Sequence, residues 1–166
     1  MKKQNGIKYQ LREMNLLPPL LAGTLCALGF LVALVVGNGF YLYDIVLTPR
    51  GTLPFAVFIV FSLLCVFALG FISGCALFLE RCQKRCPKGY ISSAACLFLI
   101  FIWFALFFSS AAFFIALISA VFALVLEIYS FTALKKVYSI LSLLSLIPLL
   151  YCIYVLWFTF CVLLLN

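Results

Sequence analysis

The chain has 166 residues, of which 68% are hydrophobic or aromatic, 9% are charged (11 basic and 4 acidic side chains) and none is histidine. Because soluble domains are about 45–50% apolar and about 25% charged, this composition excludes a soluble globule, a disordered chain and a nucleic-acid binder with a basic groove, and it indicates an integral membrane protein in a lipid bilayer. The lack of histidine removes the commonest general base and metal ligand, so hydrolytic chemistry of the soluble kind is not expected.

Apolar runs long enough to cross a bilayer, about 20 residues each, begin directly after a basic amino-terminal tail. The first predicted helix covers about residues 16–36 and ends at a Gly-Asn-Gly interruption. An outer loop is predicted at 37–53, and a second helix at about 54–79. The most polar stretch of the chain, 80–90, is predicted to be an inner loop.

The apolar block that follows the inner loop is too long for one span and long enough for two. Ser109 and Ser110 form a polar break near its middle, which predicts helices at about 91–109 and 111–132. A last helix is predicted at about 138–165. The predicted fold is an all-α bundle of five transmembrane helices in a single membrane domain.

The distribution of basic residues favours this count of five. With the amino terminus inside, 10 of the 11 Lys and Arg fall on the inner side and only Arg50 falls outside. One long third helix would move Lys135 and Lys136 outside and change the split to 8 against 3. Basic residues resist translocation, so five spans are preferred. The first run exceeds the core of a signal peptide, which is about 7–15 residues, so we expect an uncleaved anchor. The basic tail before this run suits a bacterial cell membrane, which is the expected location.

Eight cysteines raise the question of a metal site or a disulfide. Six of them lie in predicted helices, where cysteine behaves as a small apolar residue. Cys82 and Cys86 form a C-x3-C pair in the inner loop, but a structural zinc ion needs four ligands and the chain offers no second pair there. The pair could then bind zinc only if a second copy of the chain supplied the other ligands. Within one chain we predict no metal site. We also predict no catalytic residue.

Glu127 is the only acidic residue well inside an apolar run. An ionisable group inside the membrane is a functional candidate by default. It also lies roughly two turns from Lys135, close enough to reach the interface as an anchor. The sequence leaves both interpretations open.

Two patterns of small residues follow the spacing that brings membrane helices together. They are Gly70 and Gly74 in the second helix and Ala112, Ala116 and Ala120 in the fourth. Small residues allow close approach of helix backbones. They serve packing within the monomer or a dimer face, and the sequence does not choose between the two.

A further set of residues keeps a recognisable spacing along nearly the whole chain. Its members are Pro19 and Gly23 in the first helix, Tyr43, Pro49, Pro54, Phe58 and Gly70 in the outer loop and second helix, Trp103, Phe107 and Phe108 in the third helix, and Pro148, Leu150, Leu165 and Asn166 in the last. This spacing resembles that of the TspO/MBR family, the tryptophan-rich sensory proteins of bacteria and the mitochondrial translocator protein, also called the peripheral-type benzodiazepine receptor.

The resemblance implies a five-helix bundle with a pocket open toward the first loop. Family members bind porphyrins, haem-like tetrapyrroles, sterols and synthetic aromatic ligands there, and they commonly form homodimers. The ligand-binding residues that it implies are Trp103, Phe107, Phe58, Pro54, Tyr43, Ser62, Cys152 and Thr159. Ser62 and Cys152 stand where the family has pocket tryptophans, so the light-driven porphyrin degradation of some members is not expected, and no cofactor is required.

The expected function is thus binding of a hydrophobic planar ligand, in a sensing or transport-related role and without catalytic turnover. A small transporter or membrane-embedded substrate-binding subunit is one alternative, with Glu127 as its candidate residue. A structural protein that assembles with other membrane proteins is another. The expected partners are a hydrophobic small molecule, the lipid bilayer and a second copy of the chain, and no nucleic acid.

Overall fold

The computed structural model describes residues 16–36, 49, 51–78, 87–135 and 139–166. Every regular element in these ranges is helical. In chain order they are α1 (Leu17–Val36), α2 (Phe55–Phe78), α3 (Pro87–Phe104) with a π-helical continuation (Ala105–Ser109), α4 (Phe113–Lys135), α5 (Ser139–Leu144) and α6 (Leu146–Leu165). The described residues contain five segments long and apolar enough to cross a membrane, with α5 and α6 contributing one of them. The prediction of an all-α fold with five apolar spans is confirmed.

Five residues named above lie outside the described ranges. They are Tyr43 and Arg50 in the outer loop, the C-x3-C pair Cys82 and Cys86, and Lys136. Their proposed roles stay predictions.

Prolines stand at or next to the start of three helices. Pro87 is the first residue of α3, so this helix begins inside the stretch that was predicted to be an inner loop. Pro54 directly precedes α2, and its carbonyl accepts the first hydrogen bond of that helix from the amide of Phe58 at 3.0 Å. In α1, Pro18 and Pro19 lie in the first turn. Proline suits these positions because the first amides of a helix have no intrahelical acceptor.

The last predicted helix is interrupted in the structure. Ser145 separates α5 from α6 in a turn conformation, although its amide still bonds to the carbonyl of Leu141 at 3.0 Å. Pro148 follows three residues later and has no N–H, so the carbonyl of Leu144 lacks its usual helical donor. The hydropathy pattern does not reveal this break, because the residues on both sides of it are apolar.

Hydrogen bonds between helices fix the directions in which the chain runs. The hydroxyl of Ser130 in α4 donates to the carbonyl of Gly89 in α3, and that of Ser119 donates to Leu99 farther along, so α3 and α4 are antiparallel. The bundle alternates in direction, and the start of α3 and the end of α4 lie together. This end of the bundle, with Lys88 and Lys135, is called the lysine end below. Its predicted placement inside the cell stays a prediction.

The glycines of α2 are used for packing against α1. A Cβ atom on Gly70 would lie 2.9 Å from the Cβ of Cys26, and one on Gly74 would lie 2.8 Å from the Cβ of Ala22. These distances are shorter than side-chain carbons tolerate, so only glycine allows this approach. In α4, Ala116 is also buried in the core. The small residues therefore serve packing within the monomer.

The surface of the bundle is apolar, whereas its interior contains polar groups. Large hydrophobic side chains such as Leu25, Phe98 and Phe114 are mostly exposed. Glu127 and several serines are buried. A soluble protein has the reverse arrangement, and this one suits a bundle whose solvent is lipid.

Candidate functional site

An aromatic cluster fills the bundle at the end opposite the lysine end. Its members come from α2, α3, the π-helical segment and α6. They are Phe58, Trp103, Phe107, Phe108, Tyr151, Tyr154 and Phe158, named the aromatic cluster below. Their ring centroids lie about 5–6.5 Å apart, the range in which aromatic rings attract each other.

Phe58 lies at the centre of this cluster. Its ring centroid is 6.4 Å from that of Trp103 and 6.3 Å from those of Tyr154 and Phe158. Trp103 in turn stacks on Phe107 with a centroid distance of 5.2 Å and an interplanar angle of 30°. One phenylalanine of α2 therefore joins the rings of α3 to those of α6.

The π-helical segment brings two consecutive side chains into the cluster. Phe107 and Phe108 are both buried. In a regular α-helix, neighbouring residues point about 100° apart, which makes double burial on one narrow face difficult. The wider turn ends where the amide of Ala112 bonds to the carbonyl of Leu106 at 2.9 Å. Such π-bulges occur frequently at functional sites.

Two groups of polar atoms lie at the edges of the rings. The indole N–H of Trp103 donates to the hydroxyl of Thr159 at 2.9 Å, and that hydroxyl donates to the carbonyl of Val155 at 2.7 Å. The hydroxyls of Ser62 and Tyr151 are hydrogen-bonded at 3.0 Å. These groups give an otherwise apolar interior fixed donors and acceptors that can orient a flat molecule.

The described end of the outer loop lies directly over the cluster. The amide of Leu53 donates to the hydroxyl of Tyr154 at 3.2 Å, which ties the loop to α6. Just before it, the amide of Thr52 bonds to the carbonyl of Pro49 at 3.3 Å, and Gly51 has a φ of 96° that favours glycine. The loop residue Pro54 is exposed at the rim.

Five of the eight predicted ligand-binding residues come together in this cluster or on its edge, namely Phe58, Ser62, Trp103, Phe107 and Thr159. Cys152 is buried next to Tyr151 in α6, but it faces Cys96 of α3, whose sulfur lies 4.0 Å from its own, and not the rings. Trp103 is only 1% exposed, so side chains fill the space between the helices in this structure. The sequence did not single out Tyr151, Tyr154 or Phe158, whose spacing in α6 places them on one helix face.

Open grooves occur on the outer surface of the bundle. One runs between α1 and α2 and has a volume of about 480 Å³, with Leu28, Val60 and Phe67 in its lining. Another has a volume of about 410 Å³ and reaches from Phe67 to Ile147 of α6. Their linings are almost entirely apolar and face the surrounding lipid.

Glu127 lies inside the bundle and not at its surface. Its side chain is 0% exposed, and the hydroxyl of Ser145 donates a hydrogen bond to Oε1. The interpretation of Glu127 as an interfacial anchor is therefore wrong. The sequence contains an indication of this burial. Ala120, Ala123 and Ser130 are small and lie on the same face of α4 as Glu127, and this face is buried.

The fold and its interior define a multi-pass α-helical integral membrane protein. The outward apolar surface, the inward polar groups and the five apolar spans all belong to this class. Within the class, comparison with protein-family models, curated proteins and solved structures gave no match to this chain.

Proposed function

We propose that the protein binds a hydrophobic planar ligand, a porphyrin or other tetrapyrrole, a sterol or a similar molecule, among the rings of the aromatic cluster. The role is sensing or transport-related, as in the TspO/MBR family that the sequence resembles, in a bacterial cell membrane. The observation that carries this proposal is the aromatic cluster itself, which lies beneath the outer loop with oriented hydroxyl groups at its edges. Flat apolar ligands favour such sites between helices.

Entry of a ligand requires the loop and one ring to move. The Leu53–Tyr154 hydrogen bond holds the loop over the cluster, and Phe58 occupies its centre. When the loop lifts and Phe58 turns aside, a planar molecule can stack between Trp103 and the rings of α6. The hydroxyls of Ser62 and Thr159 then meet its polar edge.

Absorbance titration of protoporphyrin with the detergent-solubilised protein tests this proposal. Phe158→Ala removes one of the α6 rings on which the ligand would stack and should raise the Kd about tenfold, which corresponds to about 1.4 kcal/mol of lost stacking. Phe98→Ala is the matched control, because Phe98 is 67% exposed on the outer surface. Its Kd should equal that of the unaltered chain. Equal Kd values for the two variants would contradict a site in the aromatic cluster.

Binding is proposed to occur without chemical conversion of the ligand. Ser62 and Cys152, at the positions of the family's pocket tryptophans, cannot supply indole-dependent photochemistry. Under illumination, the absorbance spectrum of bound protoporphyrin should decay no faster with the protein than with empty detergent micelles. A faster, protein-dependent decay would mean that the protein is an enzyme.

A transporter is the second candidate, favoured by the buried position of Glu127. Flux of a labelled porphyrin in proteoliposomes, lost in Glu127→Gln, would select a transporter over a sensor.

A homodimer is also proposed, through the exposed apolar face of α4 that includes Phe114, Ile118 and Phe122. Native mass measurement in nanodiscs would detect two copies, and a monomer at all protein concentrations would contradict the dimer.

A further inference from the structure

The buried carboxyl of Glu127 is only half satisfied. Ser145 donates to Oε1, while Oε2 is buried and has no hydrogen-bond partner among the described residues. An ionised carboxylate has several lone pairs that need donors, and each one that stays empty in an apolar interior is costly. A carboxylic acid that carries a proton on one oxygen needs fewer donors.

No positive charge faces this carboxyl within the described residues. The nearby side chains from other elements are Ser145 in the turn between α5 and α6, Cys96 of α3 and Cys65 of α2. The described basic residue on its own helix, Lys135, is exposed and lies about 12 Å along α4. A proton is therefore the natural partner of the charge.

The ligand set also fits a proton better than a metal ion. The described residues contain no group of three or more His, Cys, Asp or Glu side chains that could hold a metal. Hard cations need six or more oxygen ligands, whereas this carboxyl has one hydroxyl beside it. A proton needs only one oxygen.

Hydroxyl groups extend from Glu127 toward the lysine end. Ser130 lies one turn farther along the same buried face of α4. Its hydroxyl is 2.5 Å from that of Ser93, and both bond to the carbonyl of Gly89, at 3.1 and 3.2 Å. Exposed Lys88 follows at the end of the bundle. In the opposite direction the next groups are the thiols of Cys96, Cys65 and Cys152. Thiols are weaker hydrogen-bond donors and acceptors than hydroxyls.

We propose that Glu127 is a proton-binding site in the membrane, loaded and unloaded from the lysine end through the hydroxyls of Ser130 and Ser93. On release, the proton leaves the carboxyl oxygen for water at the lysine end by way of these hydroxyls, and the carboxylate is left bonded to Ser145. The break at Ser145 supports this assignment, because membrane transporters place ion sites at interrupted helices. The proposal does not depend on the planar ligand.

Infrared spectroscopy of the full-length protein in nanodiscs tests the proton site. The chain has 4 acidic side chains, so its carboxyl bands are few. At neutral pH the unaltered protein should show the carbonyl band of a protonated carboxylic acid, and Glu127→Gln should lack it. Glu80→Gln is the control and should keep the band. Absence of the band in the unaltered protein, or its survival in Glu127→Gln, would overturn the proposal.

The route is tested by transfer of the same samples into D2O. Exchange of the carboxyl proton shifts the band, and Ser130→Ala should slow this shift several-fold. Ser119→Ala is the matched control, because Ser119 bonds to the carbonyl of Leu99 on the far side of Glu127 and should exchange at the unaltered rate. Equal rates in Ser130→Ala and the unaltered chain would contradict the route from the lysine end.

Discussion

The indole of Trp103 and the hydroxyl of Thr159 are joined by a hydrogen bond of 2.9 Å that links α3 to α6 inside the aromatic cluster. Both side chains are buried, so neither could bond to water in its place. This bond fixes the orientation of the one buried tryptophan in the described residues. It also determines how the rings of α3 face those of α6.

Replacement of Thr159 tests the energetic role of this bond. Thr159→Val keeps the shape and leaves the indole N–H without an acceptor, which should lower the free energy of unfolding by about 1–3 kcal/mol. Thr24→Val is the control, because Thr24 is exposed and bonds only to its own helix at Leu21. Unfolding in denaturing detergent, monitored by circular dichroism, measures the free energy of unfolding of the two variants. A stability loss in Thr24→Val as large as that in Thr159→Val would refute the specific role of the bond.

The close packing of α1 on α2 makes a second prediction. Gly70→Ala places a methyl group against Cys26 and should destabilise the bundle by about 1–3 kcal/mol. Gly29→Ala serves as its control, because the added methyl group would meet no atom of another helix within 4 Å and alanine favours helix more than glycine does. In the same unfolding measurement, Gly29→Ala should slightly raise the free energy of unfolding. Equal stability of the two variants would mean that α1 and α2 do not pack through their glycines.

The turn between α3 and α4 contains a backbone conformation that disfavours its residue. Ala111 has a φ of 49°, in the left-handed region, where a residue other than glycine costs about 1–2 kcal/mol. Ala111→Gly should therefore raise the thermal midpoint in detergent. Ala112→Gly, one residue later, should leave it unchanged or lower it. A lower midpoint for Ala111→Gly would contradict the left-handed turn.

The hydrogen bond between Leu53 of the outer loop and Tyr154 of α6 predicts an effect on the rate of ligand binding. Tyr154→Phe removes the hydroxyl that accepts the Leu53 amide, so the loop should open more often and the association rate of protoporphyrin should rise. Tyr129→Phe removes a hydroxyl from the exposed face of α4 and should not change that rate. Stopped-flow absorbance compares the association rates of protoporphyrin with the two variants and with the unaltered protein. An unchanged rate in Tyr154→Phe would mean that this bond does not limit entry.

Hydropathy predicts the five spans because lipid requires long apolar helices. The same apolar uniformity hides the features that depend on backbone detail. The π-helical segment (Ala105–Ser109) begins inside an apolar run, ahead of the polar pair at 109–110, and the break at Ser145 also lies inside an apolar run. Their causes are local backbone hydrogen bonding and the missing N–H of Pro148.

The candidate site was predictable only in part. Trp103 and Phe107 lie four residues apart on one helix, so their contact follows from helix geometry. The meeting of Trp103 with Thr159 depends on how α3 and α6 lie side by side, which neither helix encodes alone. For Glu127, distance to Lys135 along the chain suggested the interface, whereas the small residues on its own face indicated burial.

Fluorescence quenching in single-tryptophan variants tests ligand binding in the aromatic cluster most directly. The chain has 2 tryptophans, so Trp157→Phe leaves only buried Trp103, and Trp103→Phe leaves only Trp157, which is 40% exposed on the surface. Titration with protoporphyrin should quench Trp103 saturably and more strongly than Trp157, whose ring lies at the outside of the cluster, 5.9 Å from that of Tyr154. Saturable quenching of Trp103 would support the site beneath the outer loop. Quenching of Trp103 that never saturates, or that is no stronger than the quenching of Trp157, would contradict it.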